Sequence, residues 1–505
     1  MSTVQRIAAG PAWPLWRAAQ APAQERLAQA TTTEPLMDRA GLAAARLALA
    51  LAPHAQRLWI ACGPGNNGGD GMEAALQLRQ MGREVWVSLL DPAQGARPAD
   101  AQRALARAQA AGVTVLTDAP LEVLAQMGPQ DLCIDALLGV GARRAPTGRM
   151  ADWVARLNRS PAPVLALDLP TGLAPDSGQP LQDAQNLSGP VVHAAHTLAM
   201  LAVRPGLWMG QGRDCAGQVW LAPLVDPSPW AEQAPDAWLN PAPAPHARQH
   251  ASHKGTHGDV AVVGGEGLAR RGQGMQGAAV LAAQAALHAG AGRVLLAWTD
   301  APDAAPALPP ELMPRQWQAL PLDSLTVVAG CGGGLALDEV LAPLIRHSAR
   351  LVLDADALNA LARDPQLQAL LAARGQQHGA QATVLTPHPL EAARLLATDT
   401  AQVMADRLQA AQTLADRHGV TLVLKGSGTV IAAPGQVPQV NPTGNGRLAC
   451  GGTGDVLAGL IGARMAQGLA GPLAAQAAVW QHGALADRWP ADHALTAGAL
   501  ARALS

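Results

Sequence analysis

Residues 441–459 read NPTGNGRLACGGTGDVLAG and run on into the helix-like stretch 456–468, VLAGLIGARMAQG. At the centre stand Gly451, Gly452, Thr453, Gly454 and Asp455. Glycines at the mouth of a helix let backbone N–H groups close on an anion, and the helix N-terminus adds partial positive charge. An aspartate at that mouth can take the proton of an attacking hydroxyl. An anion cradle beside a base is the minimum equipment for moving a phosphoryl group onto an alcohol. The bland alternative is a glycine-rich helix start with an acidic first turn. A second element upstream weighs against it. Residues 420–435, VTLVLKGSGTVIAAPG, place Lys425, Gly426, Ser427, Gly428 and Thr429 in a turn between two apolar strands. There the lysine can meet a phosphate or ribose, and the small residues let backbone approach a ligand.

Working outward, apolar strand-like runs alternate with Ala/Leu-rich helical runs along the whole chain. The first half offers RLWIAC, EVWVSLL, VTVL, DLCIDALL, PVLALDL, TLAMLAV and QVWL. The second half starts afresh with GDVAVVGG and continues through GRVLLAW, LTVVAGC, ARLVLD, ATVLT, VTLVLK and TVIAA. This alternation predicts an α/β protein whose mainly parallel sheets are covered on both faces. Residues 223–250, rich in Pro and Ala, read as a linker. The expected domains are therefore 1–222 and 251–505, with no internal repeat between them.

A chain of 505 residues has room for both domains. Its net charge is −2 and only 15% of residues are charged, with no basic stripe, so nucleic acid is not an expected partner. No apolar run reaches the roughly 20 residues of a spanning helix, so no membrane partner is expected. Residues 1–20 lack a charged start followed by a clean apolar core, which predicts a cytoplasmic rather than a secreted protein. The five cysteines, Cys62, Cys133, Cys215, Cys331 and Cys450, are scattered without zinc spacing and read as buried thiols. The chain has 13 Trp but no Phe and no Tyr, so no tyrosine can serve as a base or a stacking platform.

The strand LWIAC runs into Gly63-Pro64-Gly65-Asn66-Asn67-Gly68-Gly69-Asp70-Gly71. Gly63, Gly65 and Gly68 satisfy a dinucleotide fingerprint, and Asp91 falls where such a fold places its ribose acid, so a dehydrogenase is a competing reading. The polar Asn-Asn and Gly-Gly-Asp suit a hard cation, an amide or a ribose better than a bare pyrophosphate loop. Asp135 ends a second strand, ahead of the Gly/Arg loop Gly139, Val140, Gly141, Ala142, Arg143, Arg144 and Ala145, which can bind phosphate. Asp168 ends a third, in the run Asp168-Leu169-Pro170-Thr171-Gly172. Carboxyl ends of parallel strands converge on one crevice. For Asp135 alone, a helix cap or solvated turn is an equal alternative.

GPGNNGGDG, IDALLGVGARRAP and LDLPTGLAPDSG together resemble the NAD(P)H-hydrate epimerase domain. HKGTHGDVAVVGGE, LDADALNALA, TPHPLEAARLL, LKGSGTVI and the opening stretch resemble the ADP/ATP-dependent NAD(P)H-hydrate dehydratase domain, a relative of ribokinase. Their order resembles the bacterial bifunctional repair enzymes, over nearly the whole chain outside the linker and first residues. The resemblance implies a Rossmann-like three-layer α/β/α sandwich followed by a ribokinase-like α/β domain. It implies hydrated NADH and NADPH as substrates and a homo-oligomer.

In the epimerase half the resemblance implies that Asn66, Asn67, Gly68, Gly69 and Asp70 contact the hydrated nucleotide. Gly139 to Ala145 and Asp168 complete that site. Asn67, Asp135 and Thr171 would surround a K⁺ ion, and Asp168 or Asp70 would assist proton transfer at C6. In the dehydratase half the resemblance implies that the C6 hydroxyl is phosphorylated and phosphate is then eliminated. Asp455 would be the base, with Gly451 to Gly454 as anion hole. Lys425, Gly426, Ser427, Gly428, Thr429 and Gly454 would hold ADP or ATP with Mg²⁺. Ala278, Gly332, His388 and Asp455 would face the substrate, although a histidine before proline is often a structural turn residue. Asp354 and Asp356 could hold Mg²⁺ through water or equally cap a helix.

The glycine loop Gly330-Cys331-Gly332-Gly333-Gly334 departs from the family's more usual GPGLG, and its extra glycine predicts a looser loop. His253 and His257 have metal-like spacing, but Gly255 and Gly258 place them in a loop and argue against a metal. Two other readings compete. One is a vitamin-type kinase fused to a nucleotide-binding module, which Asn66–Asp70 and the DLPTG run do not fit. The other is a binding scaffold with dead sites, against which Asp455, Lys425, Asn67, Asp135 and Asp168 all stand.

Overall fold

The computed structural model describes residues 3–92, 95–226, 228–244, 249–300 and 308–504. The chain divides into two compact units, Met1–Ala8 with Pro14–Asp236, and Ala9–Trp13 with Ala237–Ser505.

The first unit is built on one sheet. Its strands lie in the order Gln5–Arg6, Gln218–Ala222, His196–Met200, Val164–Leu167, Leu132–Ala136, Leu58–Cys62, Val85–Leu89, Thr114–Leu116. All pair parallel except the short first edge. The central strands are mostly apolar because both their faces are covered. Leu58, Ile60 and Cys62 enter one core cluster, while Trp59 and Ala61 enter the other. With no Phe or Tyr available, Trp59 and Trp153 are among the largest side chains fully buried. Trp59 donates its ring N–H to Ser88 Oγ at 2.9 Å. Chain order runs outward on both sides of Leu58–Cys62. The switch point therefore lies between this strand and Leu132–Ala136, where open α/β sheets bind ligands.

The second unit has the order Leu312–Arg315, Arg293–Trp298, Asp259–Gly264, Thr326–Ala329, Arg350–Leu353, Thr383–Leu385, Thr421–Leu424, Val430–Ala432, Gln439–Val440, Ala237–Leu239. Pairing is parallel as far as Thr421–Leu424 and then antiparallel through the next two strands. Its switch point lies between Asp259–Gly264 and Thr326–Ala329. The stretch 223–250 holds more than a linker. Ala237–Leu239 is a strand parallel to Gln439–Val440, because Ala237 and Leu239 both find buried positions. Residues 227 and 245–248 of that stretch lie outside the described residues.

The helix Thr453–Ala466 is buried along most of its length and packs on Gln276–His288. Small residues let the two backbones come close. A Cβ at Gly459 would sit 2.0 Å from the Ala282 carbonyl oxygen. Four cysteines are buried, as their pattern predicts, but Cys450 is exposed, since it stands in the surface loop ahead of the helix mouth. Among the described residues no helix is long and apolar enough to cross a membrane.

Candidate active sites

The site of the first unit forms at its switch point. Strand Leu58–Cys62 turns through Gly63–Gly65 into the helix Asn66–Gln80. A Cβ at Gly68 would fall 2.0 Å from the Gly63 carbonyl oxygen, so only glycine lets the first turn close onto the strand end. Asn66 is exposed and Asn67 is buried. Neither the Oδ1 nor the Nδ2 of Asn67 has a hydrogen-bond partner within the protein, which leaves both atoms available to a ligand. A Cβ at Gly139 would lie 2.6 Å from Asp168 Oδ2 and 3.4 Å from Asn67 Cβ, so these three residues meet. Gly69 instead turns to packing, with Met37 and Ala101 against it.

Asp168 sits at φ 64°, a costly conformation for a residue with a Cβ, and its Oδ2 accepts the Val140 N–H at 2.6 Å. Asp135 is fully buried and accepts three hydrogen bonds. They come from Thr171 N–H at 2.8 Å, Thr171 Oγ1 at 2.7 Å and Leu137 N–H at 3.2 Å. Burial outweighs them and pushes Asp135 up to about 6. Burial also raises Asp168, with the Arg204 guanidinium as the leading opposing influence. Asp70 is raised well above the usual carboxylate range by burial and then by the charge of Asp168. In the loop, Ala142 N–H donates to the Gly139 carbonyl and Ala145 N–H to that of Gln182, while Arg143 and Arg144 stand exposed. Asp91 is exposed and pairs with Arg97 at 3.5 Å, whose guanidinium also binds the Gly63 and Leu90 carbonyls. That arrangement weighs against the dehydrogenase reading.

The site of the second unit gathers the ends of four parallel strands and one helix mouth. Gly452, at φ 92°, caps the helix whose first turn carries Asp455. Asp455, Asp354 and Cys331 bring their polar atoms within 4.8 Å of one another. Burial, and then the neighbouring Asp354, push Asp455 up to about 7. The Cys331 thiol hydrogen-bonds it and pulls the other way. Lys425 Nζ lies 2.7 Å from Asp354 Oδ1, which also takes the Thr386 hydroxyl at 2.7 Å. A Cβ at Gly454 would be 3.4 Å from Lys425 Nζ, so the lysine stands at the helix mouth. Asp356 is a clasp, its Oδ2 accepting the Gly334 N–H at 2.9 Å.

The glycine loop is held tightly, contrary to the looser loop its composition predicts. Cβ atoms at Gly330, Gly332 and Gly334 would lie 1.9 Å from the Asp354 carbonyl oxygen, 2.5 Å from that of Met275 and 2.1 Å from the Glu266 carboxyl carbon. The extra glycines allow close packing rather than motion. Ala278 borders Gly332, since the Gly332 Cβ position is 3.0 Å from its methyl group. His388 caps the helix Pro389–Leu396, its Nδ1 accepting the Glu391 N–H at 3.2 Å while its side chain stays about half exposed. Burial and then the Lys425 charge lower it, which favours its neutral form. His253 Nδ1 accepts the Gly255 N–H, and His257 Nε2 meets Ser252 Oγ.

Three buried charged groups carry no sequence signal. Arg407 donates to the carbonyls of Ser427 (2.6 Å), Leu424 (3.1 Å) and Lys425 (3.2 Å), clamping the turn 425–428. Arg204 is fastened to Trp16 O, Arg17 O and Gln24 Oε1, and its charge is felt by Asp168. Glu266 is fully buried and receives Arg271 and the Leu335 N–H. Arg204 and Arg407 bind backbone well away in sequence, and Glu266 reaches Leu335 as well as nearby Arg271, so no local pattern marks them.

Two family models match the chain. YjeF-related protein N-terminus covers residues 33–206, and NAD(P)H-hydrate dehydratase covers residues 261–505. The bifunctional NAD(P)H-hydrate repair enzyme Nnr of Escherichia coli K12 is 36% identical over 482 residues, spanning 90% of this chain and 85% of that protein. Its counterpart in Coxiella burnetii is 35% identical, with 90% of each chain covered. The ADP-dependent (S)-NAD(P)H-hydrate dehydratase of Neisseria meningitidis is 43% identical over 50% of this chain and 85% of its own. A solved Bacillus subtilis ADP/ATP-dependent NAD(P)H-hydrate dehydratase, co-crystallised with ATP and Mg²⁺, is 28% identical over 51% of this chain and 91% of its own, with a TM-score of 0.40. With both domains matched in order and nine-tenths of its length aligned, the chain belongs to the family of bifunctional NAD(P)H-hydrate repair enzymes.

Proposed function

We propose that this chain repairs hydrated NADH and NADPH in two steps. The site around Asn67, Asp135, Asp168 and Thr171 interconverts the R and S hydrates. The site around Asp455 and Lys425 converts the S hydrate to NAD(P)H at the expense of ADP. The division of labour follows residues 1–222 and 251–505. The observation that carries the reading is Asp455, a carboxylate in the first turn of a buried helix, gathered with Asp354 and Cys331 within 4.8 Å and facing Lys425 across Asp354, where burial pushes it up to about 7. A base near neutrality beside a cation and a helix N-terminus fits phosphoryl transfer to a hydroxyl.

In this reading Asp455 takes the proton of the C6 hydroxyl as its oxygen attacks the terminal phosphoryl group. Lys425 and the N–H groups of Gly451 to Gly454 face the charge that develops. The turn 425–429, fixed by Arg407, receives the rest of the nucleotide. Departure of phosphate with the C6–O bonding electrons, and of a proton from C5, then restores the ring double bond. Mg²⁺ would neutralise the phosphates when bound. In the first unit the orphaned Asn67 amide oxygen, the Asp135 carboxylate and the Thr171 hydroxyl are hard oxygens suited to K⁺. Asp168 or Asp70 would move the proton there.

The test is return of NADH absorbance from a mixture of R and S hydrates supplied with ADP or ATP and Mg²⁺. Full return of both epimers is expected. Return of about half would leave the first unit without its assigned role. No return would overturn the reading.

A further inference from the structure

A pocket of about 530 Å³ opens beside the glycine loop of the second unit. Its wall includes Arg271, Gly334, Asp356, Asn359, Arg363 and Arg394. Three arginines line it from three helices, Leu268–Arg271, Asp356–Arg363 and Pro389–Leu396. Asp356 is the one acidic residue of that lining, and its Oδ2 already accepts the Gly334 N–H. Arg271 is tied to buried Glu266 at 2.8 Å and Arg363 to Asp338 at 3.0 Å. Arg394 donates to the neutral side-chain oxygen of Asn359 at 2.6 Å. Each guanidinium has more donors than these contacts use, and guanidinium forks match phosphate oxygens.

The pocket adjoins the reacting centre through two segments. Cys331 of the glycine loop hydrogen-bonds Asp455, and three residues on Gly334 lines the pocket. His388 caps the helix that carries Arg394. The proposed substrate is far longer than its reacting ring, carrying a pyrophosphate and, in hydrated NADPH, a further phosphate. The turn 425–429 is assigned to the phosphoryl donor, so the substrate's own phosphates need a different cradle. We propose that Arg394, with Arg363 and Arg271, binds phosphate of the hydrated dinucleotide. The pocket therefore sets affinity for the substrate and leaves affinity for the donor unchanged. The proposal rests on the function given above.

The test uses the full chain as wild type, Arg394→Ala and Arg394→Lys. For Arg394→Ala, the dehydratase KM for hydrated substrate should rise about tenfold or more, as expected when a charge-assisted contact to phosphate is lost. The KM for ADP and the epimerase rate should stay at wild-type values, and Arg394→Lys should recover part of the loss. An equal rise for hydrated NADH and NADPH supports the pocket and places the pyrophosphate there. A larger rise for hydrated NADPH supports it and places the additional phosphate. An unchanged substrate KM in Arg394→Ala, or a parallel rise in the KM for ADP, overturns the proposal. If the wild-type chain restores no absorbance, the function fails, and the pocket is read from calorimetric titration with NADPH instead. Binding lost in Arg394→Ala supports it, and identical isotherms overturn it.

Discussion

Replacing Asp455 by Asn removes the proposed base while keeping its size. The carboxylate lies within 4.8 Å of Asp354 and Cys331, in a setting that raises it to about 7. A positioned general base contributes about a hundredfold to ten-thousandfold, or about 3–5 kcal/mol of barrier. Asp455→Asn should lower dehydration by that factor. The substitution also removes a part-buried charge facing Asp354, so the chain should melt no lower than wild type. The sign of the pH dependence is fixed because the base works ionised. Wild-type dehydration should be full above pH 7 and fall as pH drops through about 7, and the variant's residual rate should lack that limb. The assay supplies a pure S hydrate with ADP and Mg²⁺, then follows NADH absorbance. Epimerisation is read separately by resolving R and S hydrates chromatographically. A variant keeping more than about a tenth of the wild-type dehydration rate refutes the base assignment. Loss of both activities refutes two independent sites.

Arg407→Met strips the clamp from the carbonyls of Leu424, Lys425 and Ser427. Urea unfolding should show a loss of about 1–3 kcal/mol, and the KM for ADP should rise while epimerisation is unchanged. Arg204→Gln removes the cation that holds Asp168 down, so the Asp168 carboxyl should rise further. The pH profile of epimerisation should move to higher pH, and that of dehydration should stay in place. Thr171→Val deletes both the acceptor for the Leu138 N–H and the donor to Asp135, whereas Thr171→Ser keeps both. Epimerisation measured in K⁺ and Na⁺ buffers should fall and lose its ion preference in the valine variant alone.

What was legible in the sequence were the features written in a few adjacent residues. The strand ends at Gly63, Asp135, Asp168 and Lys425, and the helix mouth at Asp455, stand where alternation and glycine spacing put them. Arg204 and Arg407 were not legible, because a buried guanidinium binding distant carbonyls looks like any surface arginine until the fold closes. The glycine loop was misread for a related reason. Glycine count speaks of freedom in an isolated chain, while the Glu266 carboxylate 2.1 Å from the Gly334 Cβ position speaks of crowding. His388 stands between the two, a helix cap in contact with Glu391 whose ring still has an exposed half. The strand Ala237–Leu239 was hidden by the prolines around it.

The contact between Gly459 and the Ala282 carbonyl has an implication for how this protein tolerates change. Any side chain at position 459 would push the helix away from its neighbour, and Asp455 stands one turn before it on that helix. A substitution that touches no ligand would thus misplace the reacting carboxylate while leaving every motif residue intact. Inspection of motif residues alone would score such a variant as functional. A mutational scan read out by dehydration, with epimerisation as the internal reference, should find intolerant positions along the Gly459–Ala282 seam as well as around the crevice.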